Sequence, residues 1–594
     1  MKIHILFLFL LFAVNLRAMP LINVDHRETV SLNGKWSIVI DPYQMGYYDY
    51  RYQPSANGFF KNEKPQKRWE RVEYSFDTDL QLNVPGDWNS QKESLYLYEG
   101  TIWYQNYFQV QPKPDERLFL YFGAVNYHAR VYLNGEKLGE HIGGFTPFHF
   151  EITDQVKAGK NDLILMVDNT RHMQAVPTVN TDWFNYGGIT RRVMLVRTHE
   201  TFIRDYRIQL DPENSEKMTG FVQLDGVQKK QKIEIHIPEA GIREATETDA
   251  DGRAEIQFNH NLKLWSPETP KLYDVIIKTE TYTLSDRIGF RSIGTEGTSI
   301  LLNGEPVYLR GICIHEEAPY EDGSRAFSED HARILLGWAK DLGCNFVRLA
   351  HYPHNEWMTR VADELGLMLW SEIPVYWTIQ WKNQHTYENA ENQLTEMINR
   401  DKNRASVILW SMANETPLSE ARLDFLTSLA QQARALDPTR LLTAAMERHY
   451  TDEYTLLIDD PFGEVVDVLG CNEYIGWYDG LPAKCDSITW TSAYNKPVII
   501  SEFGAGALYN MHGDSLTRWS EEFQASVYRH NIDMLNKVDF IQGMTPWILK
   551  DFRSPRRPLP RIQDFWNRKG LISDQGQRKL AFYELQKYYK CKAE

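Results

Sequence analysis

Long apolar runs are all but missing from this 594-residue chain. The longest, at residues 5–14, falls short of the roughly 20 residues a membrane-spanning helix needs. An integral helical membrane protein is therefore not expected. Cysteine is scarce: Cys313, Cys344, Cys471, Cys485 and Cys591 are the full set. Their odd number and wide spacing match neither a disulfide framework nor a zinc site. An excess of positive charge is also lacking. Lys and Arg total 65 against 80 Asp and Glu, a net charge of −15, which argues against nucleic acid or an anionic membrane as partner. There is no G-x-S-x-G elbow, no glycine-rich phosphate loop, no internal repeat and no low-complexity tract. Serine hydrolases and nucleotide enzymes are disfavoured accordingly.

The start of the chain reads as an export signal. Lys2 supplies the charge, residues 5–14 the apolar core, and Leu16-Arg17-Ala18 a cleavage site. Residues 1–18 are expected to be removed, leaving a periplasmic or secreted protein if the source is bacterial. No Cys follows the run to carry a lipid anchor. Aromatic residues are abundant, with 17 Trp. Sandwich cores account for most such rings, and sugar-stacking surfaces use the same residues.

Residues 19–200 read as all-β. The Asn134-Gly135 pair between 130–133 and 136–138 supplies the positive φ angles of a tight hairpin. Short strands continue through 201–293, punctuated by Pro and Gly, and fit a second, smaller sandwich. From 294 to 594 apolar runs alternate with helical periods. Eight strands are expected at 307–314, 346–351, 367–374, 407–415, 441–446, 467–474, 497–504 and 543–549. One helical stripe runs through Ile334, Leu335, Trp338 and Leu342, another through Met358, Val361, Ala362 and Leu365. Eight strands in about 300 residues predict a closed (β/α)8 barrel.

In such a barrel chemistry gathers where strands end. The expected ends carry His315-Glu316-Glu317, His351, Glu372, Asn414-Glu415, Asn472-Glu473-Tyr474, Glu502 and Trp547. Glu415 and Glu502 stand out because each closes an apolar run, where desolvation makes a carboxylate costly. Two such groups in one sheet suit glycoside cleavage, one attacking carbon and one protonating the leaving oxygen, about 5–5.5 Å apart when configuration is retained. Glu372 reads as a structural carboxylate. His315 with Glu316 and Glu317 could suggest a metal, but His315 is preferred as a ligand to sugar hydroxyls. No metal and no cofactor is expected, and a carbohydrate is the expected partner. The oligomeric state stays open.

These residues resemble glycoside hydrolase family 2, which holds β-galactosidases, β-glucuronidases and β-mannosidases. The resemblance covers nearly all of the chain after residue 18. It rests on Gly34-Lys35-Trp36, Asn185-Tyr186-Gly187-Gly188-Ile189, Trp265-Ser266-Pro267-Glu268, residues 348–353, residues 410–415 and Ser501-Glu502-Phe503-Gly504. It implies a jelly-roll-like sandwich, an immunoglobulin-like sandwich and a barrel. It also implies Glu415 as acid/base, Glu502 as nucleophile, Asn414 on the sugar 2-hydroxyl, Tyr474 beside the nucleophile and His351 in the glycone pocket.

Within the family the chain is most similar to the β-glucuronidases. Residues 472–478, ending in Tyr478, resemble their tyrosine-rich segment, and Asp182 lies in a loop like the one that enters the pocket from the first sandwich. Asn567-Arg568-Lys569 matches the Asn-x-Lys that grips the C6 carboxylate. An ammonium and an amide donor together distinguish carboxylate from hydroxymethyl. The basic stretch 553–561 departs from the pattern, and Arg561 is taken as the match for the family's arginine near that carboxylate. The resemblance implies an exo-acting retaining β-glucuronidase. A β-galactosidase or β-galacturonidase of the same family, and a non-catalytic carbohydrate-binding protein, are the alternatives. The connection after the third strand is short, so the aglycone side is expected to be open to oligosaccharides.

Overall fold

A computed structural model describes residues 20–55, 58, 75–226, 229–320 and 323–593. The export signal expected at 1–18 lies outside them. Residues from Glu28 to His199 form a six-stranded and a four-stranded antiparallel sheet. Both donate side chains to one core that includes Trp36, Trp88, Leu120, Leu165 and Leu195. Asn134 and Gly135 have φ of 54° and 87° and turn the strand His128–Leu133 into Glu136–Ile142, as a two-residue hairpin requires. A three-stranded and a four-stranded sheet follow, packed through Ile208, Val222, Ile235 and Val275.

The remainder is a barrel of parallel strands: β1 (Leu309–Arg310 and Cys313–Ile314), β2 (Phe346–Leu349), β3 (Met368–Glu372), β4 (Val407–Asn414), β5 (Leu441–Met446), β6 (Leu469–Asn472), β7 (Val498–Glu502) and β8 (Ile541–Met544). The expected continuous first strand is interrupted at Gly311-Ile312. Its first half pairs with β8 and its second half with β2, so one broken strand closes the ring. Gly311 sits here because an added Cβ would meet the Met544 carbonyl oxygen at 2.8 Å. β8 is also shorter than expected, and Trp547 lies beyond it.

Helices α1 (Glu329–Leu342), α2 (Glu356–Leu365), α3 (Gln384–Asp401), α4 (Glu420–Leu436), α5 (Glu521–Leu535) and α6 (Leu580–Ala593) cover the barrel. Side chains of Ser328, Asn355, Asn383, Ser419 and Ser520 cap the first five at their N-termini. The buried stripe of α1 runs through Ala332, Leu335, Leu336, Ala339 and Leu342, so Ile334 and Trp338 lie to one side of it.

Both sandwiches are bolted to the barrel. The Trp265 indole N–H donates to the Asp363 carbonyl at 2.9 Å, and Lys402 pairs with Asp205 where both are buried. Removing one partner of such a buried pair costs about 3–5 kcal/mol. From the first sandwich, Arg191 donates to Glu316 at 3.1 Å, and the Tyr186 hydroxyl to Glu317 at 3.0 Å. Both acids behind His315 are thus committed to docking the sandwich on the tip of β1.

Candidate active site

The tips of β4 and β7 bring Glu415 and Glu502 to the same end of the barrel, in different electrostatic surroundings. Glu415 follows β4 with a left-handed φ of 47°. Neutral donors hold its carboxylate. The Asn472 amide donates to one oxygen at 2.9 Å, the Trp377 indole N–H to the other at 2.8 Å. Glu502 closes β7 and is buried. The Arg348 guanidinium donates to it at 2.8 Å and the Tyr474 hydroxyl at 2.7 Å. Burial pushes the Glu502 carboxyl above its ordinary value, opposed by Arg348 and reinforced by the charge of Glu415.

Arg348, on β2 and fully buried, organises this floor. It also donates to Asn414 Oδ1 at 2.7 Å and to Glu372 at 3.0 Å. Glu372 accepts from His351 Nδ1 at 2.9 Å and from the Trp370 indole at 2.8 Å. Burial opposes ionisation of Glu372, yet Arg348 and His351 hold its carboxyl below the ordinary value. Asn414 presents its carbonyl oxygen to Arg348 and to Asn472, which fixes the amide flip. Its Nδ2 is buried with no partner among the described residues. Trp547 stacks on His351 at 4.8 Å. His315 donates or accepts at Tyr352 through Nδ1 at 3.0 Å, and its Nε2 is buried without a partner among the described residues. Burial pushes the His315 imidazole well below its ordinary value, so the ring is neutral near pH 7.

A second group lies beside the first, joined to it through Tyr474. Asp182, from the first sandwich, accepts from Ser554 at 2.6 Å, from Asn567 at 3.3 Å and from both Nε and Nη2 of Arg557. The Lys569 ammonium is buried and donates to the Tyr478 hydroxyl at 2.8 Å, with the rings of Tyr478 and Tyr474 at 4.7 and 5.3 Å. Among the described residues no carboxylate lies within salt-bridge distance of Lys569. Burial pushes the ammonium below its ordinary value. The arginine in this group is Arg557. Arg561, expected from sequence, is exposed in a turn with φ of 69°. Position in a Pro- and Arg-rich loop carries no periodicity, so the sequence could not separate the two.

Sequence reasoning left Arg348, Trp377, Asn472 and Arg557 without a role. A signal for Arg348 exists: a cation inside the apolar run 346–350 must be buried and therefore paired. Among the described residues no group of three or more His, Cys, Asp or Glu is arranged to hold a metal, and no helix is long and apolar enough to cross a membrane. Cys313, Cys344, Cys471 and Cys485 are buried as free thiols, and Cys591 is exposed.

Glu473 offers a stability test next to the site. It is fully buried. One oxygen accepts the Ile475 N–H at 2.8 Å, and the other has no partner among the described residues. Burial lifts its carboxyl to about 8 from an ordinary 4.5. The folded protein therefore keeps a proton that the unfolded chain releases. The associated stability is full below about pH 4.5 and is lost as pH rises toward 8. Glu473→Gln keeps the acceptor and removes the linkage. Its melting temperature should exceed that of the parent by about 2 °C or more at pH 8 and match it near pH 5. A difference that does not change between those pH values would refute the buried proton.

A parallel barrel whose strand tips present two glutamates, an arginine floor and aromatic walls, preceded by two β-sandwiches, defines a glycoside hydrolase. Family models agree along the chain. The sugar-binding domain of glycosyl hydrolases family 2 matches residues 29–199, a second family 2 model residues 201–291, and the family 2 TIM barrel domain residues 293–593. The chain belongs to glycoside hydrolase family 2. It is similar to a putative beta-glucuronidase of Formosa agariphila, 29% identical over 86% of this chain and 66% of that one, so this chain spans about two thirds of that relative. It is also similar to a beta-glucuronidase of Paenibacillus borealis, 27% identical over 93% of this chain and 96% of that one. Among solved structures it resembles Bifidobacterium dentium beta-glucuronidase complexed with coumarin-3-O-glucuronide. The TM-score is 0.80 at 26% identity, covering 96% of this chain and 98% of that one.

Proposed function

We propose that the protein is an exo-acting retaining β-glucuronidase that releases terminal β-D-glucuronic acid from glucuronides or acidic oligosaccharides. The observation that carries this reading is the buried Lys569 ammonium, whose protein partner is a hydroxyl and not a carboxylate. A buried cation without a counterion is costly. The C6 carboxylate of a uronic acid supplies that counterion, with Arg557 and the Asn567 amide beside it. Asp182 neutralises Arg557 and leaves the charge of Lys569 to the substrate.

In this reading Glu502, steered by Arg348 and Tyr474, attacks the anomeric carbon. Glu415 protonates the glycosidic oxygen as the bond breaks, and a covalent glucuronyl ester forms on Glu502. Glu415 then takes a proton from water as that water attacks the ester, which restores both groups and retains configuration. Beside Glu502 the Arg348 guanidinium and the Tyr474 hydroxyl favour the attacking carboxylate against the burial that raises it, while Glu415 meets the neutral donors Asn472 and Trp377. Asn414 Nδ2 is free to donate to the 2-hydroxyl. Three units, 19–200, 201–293 and 294–594, are part of this reading, as is export to the periplasm or medium, supported by the signal-like residues 1–18.

Initial rates on p-nitrophenyl β-glucuronide, β-galactoside and β-galacturonide test it. The glucuronide should exceed the galactoside by at least about 10²-fold in kcat/KM. Preference for the galactoside would overturn the uronic acid assignment.

A further inference from the structure

Residues 553–561, in the connection after β8, carry four arginines: Arg553, Arg556, Arg557 and Arg561. Arg557 is paired with Asp182. Arg556 is different. It is exposed, its hydrogen-bond partner is the neutral Asn180 side chain, and among the described residues no carboxylate lies within 4 Å of it.

Its position is informative. The Arg556 guanidinium lies 4.8 Å from the centroid of the Trp377 ring. Trp377 is the residue whose indole N–H meets Glu415 Oε2, the carboxylate assigned to protonate the leaving oxygen. The Trp377 backbone is fixed as well, with its N–H donating to the Asn414 carbonyl at 3.0 Å and φ of 55°. Arg556 thus stands one side chain away from the point where the glycone ends and the aglycone begins. The connection from β3 to α3 covers only residues 373–383, and Trp377 is half-buried, so this border is reachable from solvent.

We propose that Arg556 and Trp377 form a subsite for an anionic sugar on the leaving-group side, one carrying a carboxylate or a sulfate ester on the residue next to the terminal glucuronate. The inference rests on the β-glucuronidase reading and narrows its substrates to acidic oligosaccharides. With its guanidinium 4.8 Å from the Trp377 ring centroid and Nη1 donating to Asn180, Arg556 keeps further N–H groups that can donate to a carboxylate or sulfate. Lys569, whose protein partner is a hydroxyl, adds positive charge to the same site.

The test compares four substrates: p-nitrophenyl β-glucuronide, and glucuronosyl disaccharides whose second sugar is neutral, carboxylated or sulfated. At low salt the wild type should favour one or both anionic disaccharides over the neutral one by about tenfold in kcat/KM, mostly through KM. Comparing the carboxylated with the sulfated substrate decides which anion is preferred. Arg556→Ala should bring that ratio near one, Arg556→Lys should keep part of it, and Arg556→Glu should invert it, while added salt should erode it in the wild type. Equal rates on anionic and neutral disaccharides in the wild type would overturn the subsite. So would equal losses on all four substrates in Arg556→Ala, because they would mean that Arg556 only props Trp377. An enzyme active on the aryl glucuronide but indifferent to the second sugar refutes this subsite alone. One inactive on the aryl glucuronide refutes the underlying reading and this inference with it.

Discussion

Glu502→Gln is expected to lower kcat/KM on an aryl β-glucuronide by about 10⁴-fold or more. Among the described residues its side chain alone of the strand-tip carboxylates meets both a guanidinium and a phenol, at 2.8 and 2.7 Å, while Glu372 is held by Arg348, His351 and Trp370. The amide is nearly isosteric, but it cannot form a glycosyl ester and turns N–H groups toward Arg348 or Tyr474. The companion variant Glu415→Ala should behave differently. With a good leaving group such as p-nitrophenolate the first step needs little protonation, so the glycosyl ester should form and accumulate. Mass spectrometry of the intact protein should then show an adduct in Glu415→Ala and none in Glu502→Gln. Azide should speed Glu415→Ala, because an anionic nucleophile needs no general base. An adduct in Glu502→Gln, or more than about 1% residual activity there, would reassign the nucleophile.

Lys569→Ala should cost about 10²- to 10³-fold on the glucuronide and little on the slow galactoside reaction, since removing one partner of a desolvated charge pair leaves the other buried and unpaired. Its pH dependence sharpens the test. Burial holds the free-enzyme ammonium below its ordinary value, and a bound carboxylate favours the charged form. Glucuronide binding is therefore strongest while Lys569 is protonated and weakens as pH rises through its folded-state value. The alkaline fall of kcat/KM on the glucuronide should be absent from the Lys569→Ala profile. An equal loss on both sugars, with the alkaline limb intact, would make Lys569 a structural residue.

Much of this architecture can be read along the chain. Strands β2 to β7 follow from short apolar runs, and Glu415 and Glu502 stand out because a carboxylate at the end of such a run demands a reason. Asn567-Arg568-Lys569 drew attention only through the resemblance to the β-glucuronidases, since three residues carry no pattern of their own. What escaped depends on contacts between distant segments. Arg348 sits 66 residues from Asn414 and 154 from Glu502. The pairing of Arg557 with Asp182 joins positions 375 residues apart, and no local pattern distinguishes Arg557 from Arg561. The break in β1 was equally hidden, because Gly311 and Ile312 sit inside an apolar run and only closure of the ring explains the gap. In α1 the true stripe is offset from the expected one because Ile334 and Trp338 are apolar without being innermost.

Asp182 belongs to the first sandwich, whereas Arg557, Asn567 and Lys569 belong to the barrel. If these residues grip the sugar as proposed, selectivity is a joint property of two modules that fold around separate cores. A chimera that grafts this barrel onto a sandwich without an acid at the place of Asp182 would inherit the catalytic pair intact yet leave Arg557 stripped of its counterion. Under the proposed reading, exchanging either module alone would require changing both sides of that contact together.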